Sequence, residues 1–231
     1  MSVILECNDL SHKYGKKTSL DDVSFQIESG KIIGLFGPNG SGKTTLIKKI
    51  VGLLQDEKGS IRIDGEAVGE KTKAIVSYSP DKPAFKEDRK VSDLLDFYEL
   101  MYDDFDRGKA EEALSGLGIR TSEFIGKMSK GSGEKVQILL VMSRKAKLYV
   151  LDEPFAGIDP VARETVIKIM LQNMPEDASL LLSTHHIQET EQILDEAIFL
   201  KEGKLVFHKS VEELREENGQ SLNEAYMEVF R

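Results

Sequence analysis

The chain has 231 residues, of which 40% are hydrophobic and 31% are charged, and its formal net charge is −9. This length and balance predict a soluble globular protein, and the acidic excess argues against a nucleic-acid protein that relies on a broad basic surface. No apolar run reaches the roughly 20 residues that cross a bilayer. Without a secretory signal, and with the lone Cys7 suiting a reducing compartment, we expect a cytoplasmic protein that reaches a membrane only through a partner.

The first predicted elements are two short strands, residues 3–8 and 23–27, which flank a turn-rich segment at residues 11–19. A third, apolar strand at residues 31–36 leads into Gly-Pro-Asn-Gly-Ser-Gly-Lys-Thr-Thr, and a helix is predicted over residues 43–53. The spacing G-x-x-x-x-G-K-T between a strand and a helix is that of a phosphate-binding P-loop. A glycine-rich hairpin turn is the weaker alternative. We therefore predict that this protein binds a nucleoside triphosphate.

The residue types of this loop suit phosphate chemistry. Its backbone N–H groups and the positive end of the following helix attract phosphate oxygens. We predict that Lys43 reaches the β- and γ-phosphates and that the Thr44 hydroxyl ligates Mg²⁺. The predicted nucleotide-binding residues of the loop are Gly37, Pro38, Asn39, Gly40, Ser41, Gly42, Lys43, Thr44 and Thr45.

The middle of the chain changes from strands to helices. Residues 61–63 and 75–78 are predicted strands, whereas apolar residues recur at helical spacing in much of 84–146. We predict that residues 84–146 form a helical subdomain inserted in the P-loop core, within a single domain that spans residues 1–231. The N-terminal strands are expected to form an antiparallel β subdomain.

From residue 148 onward, short apolar strands alternate with helices. The predicted strands are 148–151 and 179–183, the predicted helices are 161–171, 187–194, 211–217 and 222–230, and a hairpin is predicted over 197–207. Buried strands separated by helices indicate a mostly parallel sheet that is covered on both faces. The fold class predicted from this pattern is α/β, of the P-loop NTPase type.

Two adjacent carboxylates follow the strand at residues 148–151. Asp152, at the end of a buried strand, is expected to ligate or orient Mg²⁺, and Glu153 is expected to polarise the water that attacks the γ-phosphate. Two carboxylates that merely cap the next element are the alternative, which we disfavour because a P-loop requires such a partner. The pair predicts hydrolysis rather than nucleotide binding alone.

With these motifs, the chain resembles the nucleotide-binding subunit of a prokaryotic ATP-binding cassette (ABC) transporter over essentially its whole length. Tyr14 stands where that family places a ring that stacks on adenine. The family signature, usually Leu-Ser-Gly-Gly-Gln, corresponds to Met128 through Ser132, and its active residues here would be Ser129, Lys130, Gly131 and Ser132. Of these, Lys130 and Ser132 depart from the usual residues. The resemblance also implies a D-loop role for Asp159.

Two further residues are assigned through the same resemblance. His185, and not the adjacent His186, occupies the position whose ring contacts the γ-phosphate, so the implied catalytic residues are Glu153 and His185. Asp81 stands where the family expects glutamine. Because an aspartate can still bind Mg²⁺ or orient water, we predict Asp81 as a metal-site residue.

The resemblance implies an ATPase that uses ATP and Mg²⁺ and that works as a dimer. Two subunits, either identical or two related ATPases, would close head to tail around ATP and part after hydrolysis. Their motion would power a separate transmembrane permease chain at the inner face of the cell membrane. Two alternatives stay open: a soluble ABC ATPase of the iron–sulfur assembly type, and an ATPase that drives a membrane signalling complex. A GTPase is disfavoured because the sequence lacks Asn-Lys-x-Asp.

Overall fold

The computed structural model describes residues 2–55, 58–82 and 85–231. The strands are β1 (Val3–Tyr14), β2 (Lys17–Glu28), β3 (Ile32–Phe36), β4 (Lys58–Ile63), β5 (Glu66–Ala67), β6 (Val76–Ser79), β7 (Leu148–Asp152), β8 (Ser179–Ser183), β9 (Glu196–Lys201) and β10 (Lys204–Ser210). The helices are α1 (Lys43–Ile50), α2 (Glu70–Ile75), α3 (Val91–Met101), α4 (Arg107–Gly116), α5 (Lys130–Met142), α6 (Pro160–Asn173), α7 (Ile187–Thr190), α8 (Val211–Asn218) and α9 (Leu222–Phe230). None of the described helices is long and apolar enough to span a bilayer.

The larger sheet has the strand order β10-β9-β3-β8-β7-β6. Its strands run parallel except for β10, which pairs with β9 in an antiparallel hairpin. Every residue of β3, β7 and β8 is buried, which is why these strands have continuous apolar sequences rather than alternating ones. The prediction of an α/β fold with a mostly parallel sheet is confirmed.

The smaller sheet is antiparallel, with the order β2-β1-β4-β5. The predicted turn-rich segment at residues 11–19 is wrong, because β1 and β2 continue through it and pair up to Tyr14 and Lys17. The turn is confined to residues 15–16, where Gly15 adopts a φ of 58°. Cross-strand pairing outweighs the polar local sequence. The consequence for the site is that Tyr14 lies at the tip of a long hairpin.

Two hydrophobic cores lie on opposite faces of the larger sheet. One core joins that sheet to the smaller sheet and includes Leu46, Ile47 and Ile50 of α1. The other core joins the opposite face, through residues such as Tyr149 and Phe199, to the helices that follow β6 and to the C-terminal helices. Helix α1 therefore packs between the two sheets and holds the loop before it in place.

The structure differs from the sequence predictions at two places between residues 43 and 75. Helix α1 ends at Ile50 rather than at residue 53, because Gly52 takes a φ of 73° that stops the helix. Helix α2 was not predicted, and it occupies the residues just before β6. Its only buried residue is Thr72, so it lacks the apolar stripe that marks a helix in a sequence.

The predicted helical region lies between β6 and β7 and contains α3, α4 and α5, although its first residue, Ala84, falls outside the described residues. Arg144 joins this region to the sheet. Its guanidinium donates hydrogen bonds to the carbonyls of Val76 and Ala74, at 2.7 and 2.8 Å, and pairs with Asp104 at 2.9 Å. It also lies 3.9 Å from the centroid of the Tyr102 ring.

Candidate nucleotide site

The P-loop, Asp81, Glu153 and His185 converge on one open cleft of about 680 Å³. It lies at the carboxyl edge of the larger sheet, where the loops after β3, β6, β7 and β8 meet, which is the usual ligand site of such sheets. The residues that line it are Tyr14, Lys17, Ser19, Gly37, Pro38, Asn39, Gly40, Gly42, Lys43, Thr44, Thr45, Asp81, Glu153, Ala156, His185 and Tyr226. Four of these, Lys17, Ser19, Ala156 and Tyr226, were not predicted from the sequence.

The P-loop has the geometry of an anion cradle. Helix α1 starts after Gly42, which has a φ of 111° and gives no side-chain cap to the first N–H groups. These N–H groups have no side-chain acceptor at the start of the helix, so they can donate to a ligand in the cleft. A Cβ on Gly42 would lie 2.5 Å from the carbonyl oxygen of Ser19, so both the backbone angle and the space require glycine at this position.

Lys43 is 7% exposed, and its ammonium group donates a hydrogen bond to the carbonyl oxygen of Gly37 at 2.7 Å. Burial lowers the pKa of Lys43, and the charges of Glu153 and Asp152 act in the opposite direction. The ammonium group is thus folded back over the loop. When a phosphate binds, a phosphate oxygen would replace the carbonyl as the acceptor.

Asp152 ends β7 and is 1% exposed. Its Oδ1 atom accepts a hydrogen bond from the Ser183 hydroxyl at 2.5 Å, whereas Oδ2 is buried and has no hydrogen-bond partner among the described residues. Burial raises the pKa of Asp152, and the hydroxyls of Ser183 and Thr44 oppose that rise. A buried carboxylate oxygen without a partner, near a threonine hydroxyl, is a donor set that fits a hard divalent cation.

The described residues contain no cluster of three or more His, Cys, Asp or Glu side chains that could enclose a metal ion. Mg²⁺ does not require one, because it is usually held by one or two carboxylates together with substrate phosphates and water. The residues present therefore fit Mg²⁺ that arrives with a nucleotide.

Glu153 lies directly after this buried aspartate, with a φ of 50°. Its backbone N–H donates to the carbonyl and the hydroxyl of Ser183, at 3.0 and 3.1 Å, and these bonds hold the left-handed conformation. A non-glycine residue held in this conformation is often part of a functional site. The carboxylate Oε2 lies 2.9 Å from Nδ1 of His185, so the two predicted catalytic side chains form a pair.

Asp81 lines the cleft on the side of β6. Its charge and that of Asp152 add to the effect of burial, which raises the pKa of Tyr78 to about 12. The segment before Asp81 is tied to α5, because the side-chain amide of Gln137 donates to the Ser79 hydroxyl at 2.6 Å and to the Pro80 carbonyl at 2.9 Å. These two hydrogen bonds join the loop that carries Asp81 to α5, the helix that begins with the predicted signature residues.

The signature residues do not line this cleft. Ser129 caps α5 by accepting a hydrogen bond from the Ser132 N–H at 3.1 Å, and the side chain of Lys130 lies against Gly157. Gly131 packs near Ile158 and Ala162. The signature is therefore in contact with the D-loop of its own chain and separate from its own P-loop.

Asp159 caps α6, with its side chain accepting from the Ala162 N–H at 3.0 Å. One turn later, the buried Arg163 forms an ion pair with Glu189 of α7. This pair links the helix after the D-loop to the helix after His185. The sequence did not predict this ion pair, because Arg163 and Glu189 both resemble ordinary surface charges.

A sequence model described as ABC transporter matches residues 20–156, which is more than half of the chain. A curated relative, the ABC-type transporter ATP-binding protein EcsA of Bacillus subtilis (strain 168), is 32% identical over 240 residues, which cover 99% of this chain and 97% of that protein. A second, the lipopolysaccharide export system ATP-binding protein LptB of Haemophilus influenzae, is 29% identical, with coverage of 88% and 89%.

Solved structures agree with these relatives. The structure of an ATP-binding subunit of an ABC transporter matches with a TM-score of 0.87 and 31% identity, over 99% of this chain and all of the other. An ATP-binding cassette in its ADP conformation matches with a TM-score of 0.82 at 20% identity, over the full length of both chains. Because its identity is only 20%, the second match supports the fold and not the function.

Proposed function

Because the chain belongs to the ABC transporter family and is an ATP-binding, ATP-hydrolysing subunit of that family, we propose that the cleft around Lys43 binds Mg²⁺–ATP and that hydrolysis there drives a separate membrane partner. The observation that carries this proposal is the convergence of the P-loop, Glu153 and His185 on one cleft.

In this proposal the P-loop holds the phosphates. The uncapped N–H groups at the start of α1 donate to phosphate oxygens, and the ammonium of Lys43 moves from the Gly37 carbonyl to the β- and γ-phosphates. Tyr14, which is 49% exposed at the tip of the β1–β2 hairpin, offers its ring to adenine. The remaining loop residues, from Gly37 to Thr45, shape the backbone around the anion.

Thr44 and Asp152 would hold Mg²⁺, and Asp81 faces the same space from β6. The bound ion would neutralise charge on the β- and γ-phosphates. Glu153 accepts a proton from the water that attacks the γ-phosphorus, and His185 keeps the Glu153 carboxylate oriented through the 2.9 Å contact. The phosphate–phosphate bond breaks in line with that attack.

The signature is proposed to act on a second subunit. Ser129, Lys130, Gly131 and Ser132 lie outside the cleft of their own chain, at the start of a 13-residue helix whose positive end faces outward. A head-to-tail dimer, of two copies or with a related ATPase, would place this helix start and Asp159 against the partner's ATP. ATP would then join the two subunits, and loss of the γ-phosphate would release them.

The membrane partner is proposed to be a transmembrane permease in a separate chain, which would hold this protein at the inner face of the cell membrane. The curated relatives are transporter ATP-binding proteins, which favours transport over the iron–sulfur assembly alternative. The helical region between β6 and β7, linked to Asp81 through Gln137, is proposed as the inserted subdomain that passes the motion on.

Two measurements test this function. The purified chain should hydrolyse ATP only when Mg²⁺ is present, and it should co-purify from mildly solubilised native membranes with a polytopic protein in fixed stoichiometry. Absence of Mg²⁺-dependent hydrolysis would contradict the proposed site. Recovery from the soluble fraction alone, bound to assembly proteins, would contradict the proposed membrane role.

A further inference from the structure

The C-terminal helix contributes a side chain to the nucleotide cleft. Tyr226 of α9 lines that cleft together with Pro38 and Asn39 of the P-loop and with His185. None of the sequence motifs includes this tyrosine, which lies 181 residues after Thr45 in the chain. Its presence in the cleft therefore depends on how the last helix packs.

Aromatic packing fixes the position of Tyr226. Its ring lies 4.3 Å from the ring of Phe230 and 5.5 Å from that of Phe199, measured between centroids. Phe199 is paired in register with Phe36, the last residue before the P-loop. The end of α9 is held as well, because the Lys201 ammonium donates to the Val229 carbonyl at 2.8 Å.

The packing of α9 connects Tyr226 to the segment that carries His185. Helix α9 packs against α7, which begins two residues after His185, and His185 contacts Glu153. Tyr14, the proposed adenine platform, instead comes from the antiparallel sheet. Tyr226 and His185 line the same cleft, and the helices α9 and α7 that hold them pack together, which supports a position for Tyr226 near the terminal phosphate of a bound ATP.

The Tyr226 hydroxyl is available to a ligand. The side chain is half-buried, and burial is what raises the pKa of its hydroxyl, with no contribution from a hydrogen bond to another described residue. A phenol O–H is a good donor to phosphate oxygen. Packing of the ring alone does not require the hydroxyl, since phenylalanine would fill the same space.

We propose that Tyr226 determines specificity for the triphosphate, by donating a hydrogen bond from its hydroxyl to the terminal phosphate of ATP. ADP lacks this acceptor, so the contact favours ATP over ADP. It also couples nucleotide state to α9 and, through α7, to the segment that carries His185. This inference rests on the proposed function, because it requires the nucleotide to occupy the cleft with its γ-phosphate near His185.

The test compares Tyr226→Phe with the parent chain. Affinities for ADP and for a non-hydrolysable ATP analogue are measured by calorimetry with Mg²⁺, at concentrations where light scattering shows a monomer. A hydrogen bond to a charged phosphate is expected to favour the triphosphate by about tenfold. The preference for the analogue over ADP should therefore fall about tenfold in Tyr226→Phe, while ADP affinity and the melting temperature stay unchanged.

Met227→Ala, on the exposed side of the same helix, is the matched control and should keep the parental preference. If Tyr226→Phe also keeps that preference while the parent binds both nucleotides, Tyr226 is only a packing residue and this inference is wrong. If the parent chain binds neither nucleotide, the proposed function fails, and this inference fails with it.

Discussion

Nδ1 of His185 lies 2.9 Å from Oε2 of Glu153, across the cleft that the P-loop opens into. The two residues follow neighbouring strands, β8 and β7, whose ends are joined by hydrogen bonds from the Glu153 N–H to Ser183. His185 is 62% exposed and Glu153 16% exposed. In the proposed mechanism, this histidine orients the more buried carboxylate, and the carboxylate activates water.

His185→Ala should reduce the rate of ATP hydrolysis by about 10²-fold and leave ATP affinity nearly unchanged, because it removes the group that orients the base and not the phosphate cradle. Single-turnover hydrolysis and equilibrium ATP binding measure the two effects separately. Gln188→Ala, at an exposed position of α7, is the control, because the His186 ring packs 4.0 Å from that of His185, measured between centroids. Equal losses in both variants would contradict the assignment of His185.

Asp152→Asn should weaken the binding of Mg²⁺, so that activity requires a higher Mg²⁺ concentration. The buried Oδ2, which has no protein partner among the described residues, becomes part of a neutral amide. The Mg²⁺ concentration that gives half-maximal activity should rise by at least about tenfold. Nucleotide binding in EDTA should stay at the parental level. Unchanged Mg²⁺ dependence would show that Asp152 does not hold the ion.

Glu134 of α5 should make stability depend on pH. Burial raises its pKa to about 7 from the ordinary 4.5, repulsion from Asp81 adds to the rise, and Lys130 opposes it. The folded chain therefore keeps a proton that the unfolded chain releases, and the free energy of unfolding falls as pH increases from about 4.5 to about 7.

Glu134→Gln removes this cost. The variant should be more stable than the parent by about 1–3 kcal/mol at pH 8 and should show little gain at pH 4.5. Urea denaturation at both values measures the difference, and Glu216→Gln, an exposed residue of α8, is the control. A gain that is equal at the two pH values would contradict the assigned protonation.

Arg144→Ala should destabilise the protein by about 3–5 kcal/mol, because it leaves Asp104 and two backbone carbonyls without their buried partner. Arg120→Ala removes an exposed ion pair with Glu123 and should cost less than about 1 kcal/mol. Chemical denaturation compares the two. Similar losses would mean that Arg144 does not hold the helical region on the sheet.

Most of the fold followed from local patterns in the sequence. The apolar strands β3, β7 and β8 were predictable because buried parallel strands have continuous hydrophobic sequences. The extensions of β1 and β2 through residues 11–19 were not, since their polar side chains give no strand pattern and only pairing across the hairpin holds them. Helix α2 was missed for lack of a buried face.

The candidate site likewise has residues that the sequence predicted and residues that it did not. The P-loop and the Asp152–Glu153 pair are compact motifs that a sequence alone can predict, and the structure brings the P-loop and Glu153 to one cleft. Tyr226, Gln137 and the Arg163–Glu189 pair reach the site or its supports only through tertiary packing. In a sequence, a tyrosine at helical spacing indicates a core position, and two opposite charges 26 residues apart indicate two separate surface positions. No local pattern distinguishes them.

In the proposed cycle, ATP joins two subunits and Glu153 ends this state by activating water. Light scattering coupled to gel filtration tests it on Glu153→Gln, with Mg²⁺ and either ATP or ADP. We predict a stable dimer with ATP, a monomer with ADP, and hydrolysis slowed by about 10²–10⁴-fold. A variant that stays monomeric with saturating ATP, or that hydrolyses ATP at the parental rate, would show that this cycle is wrong.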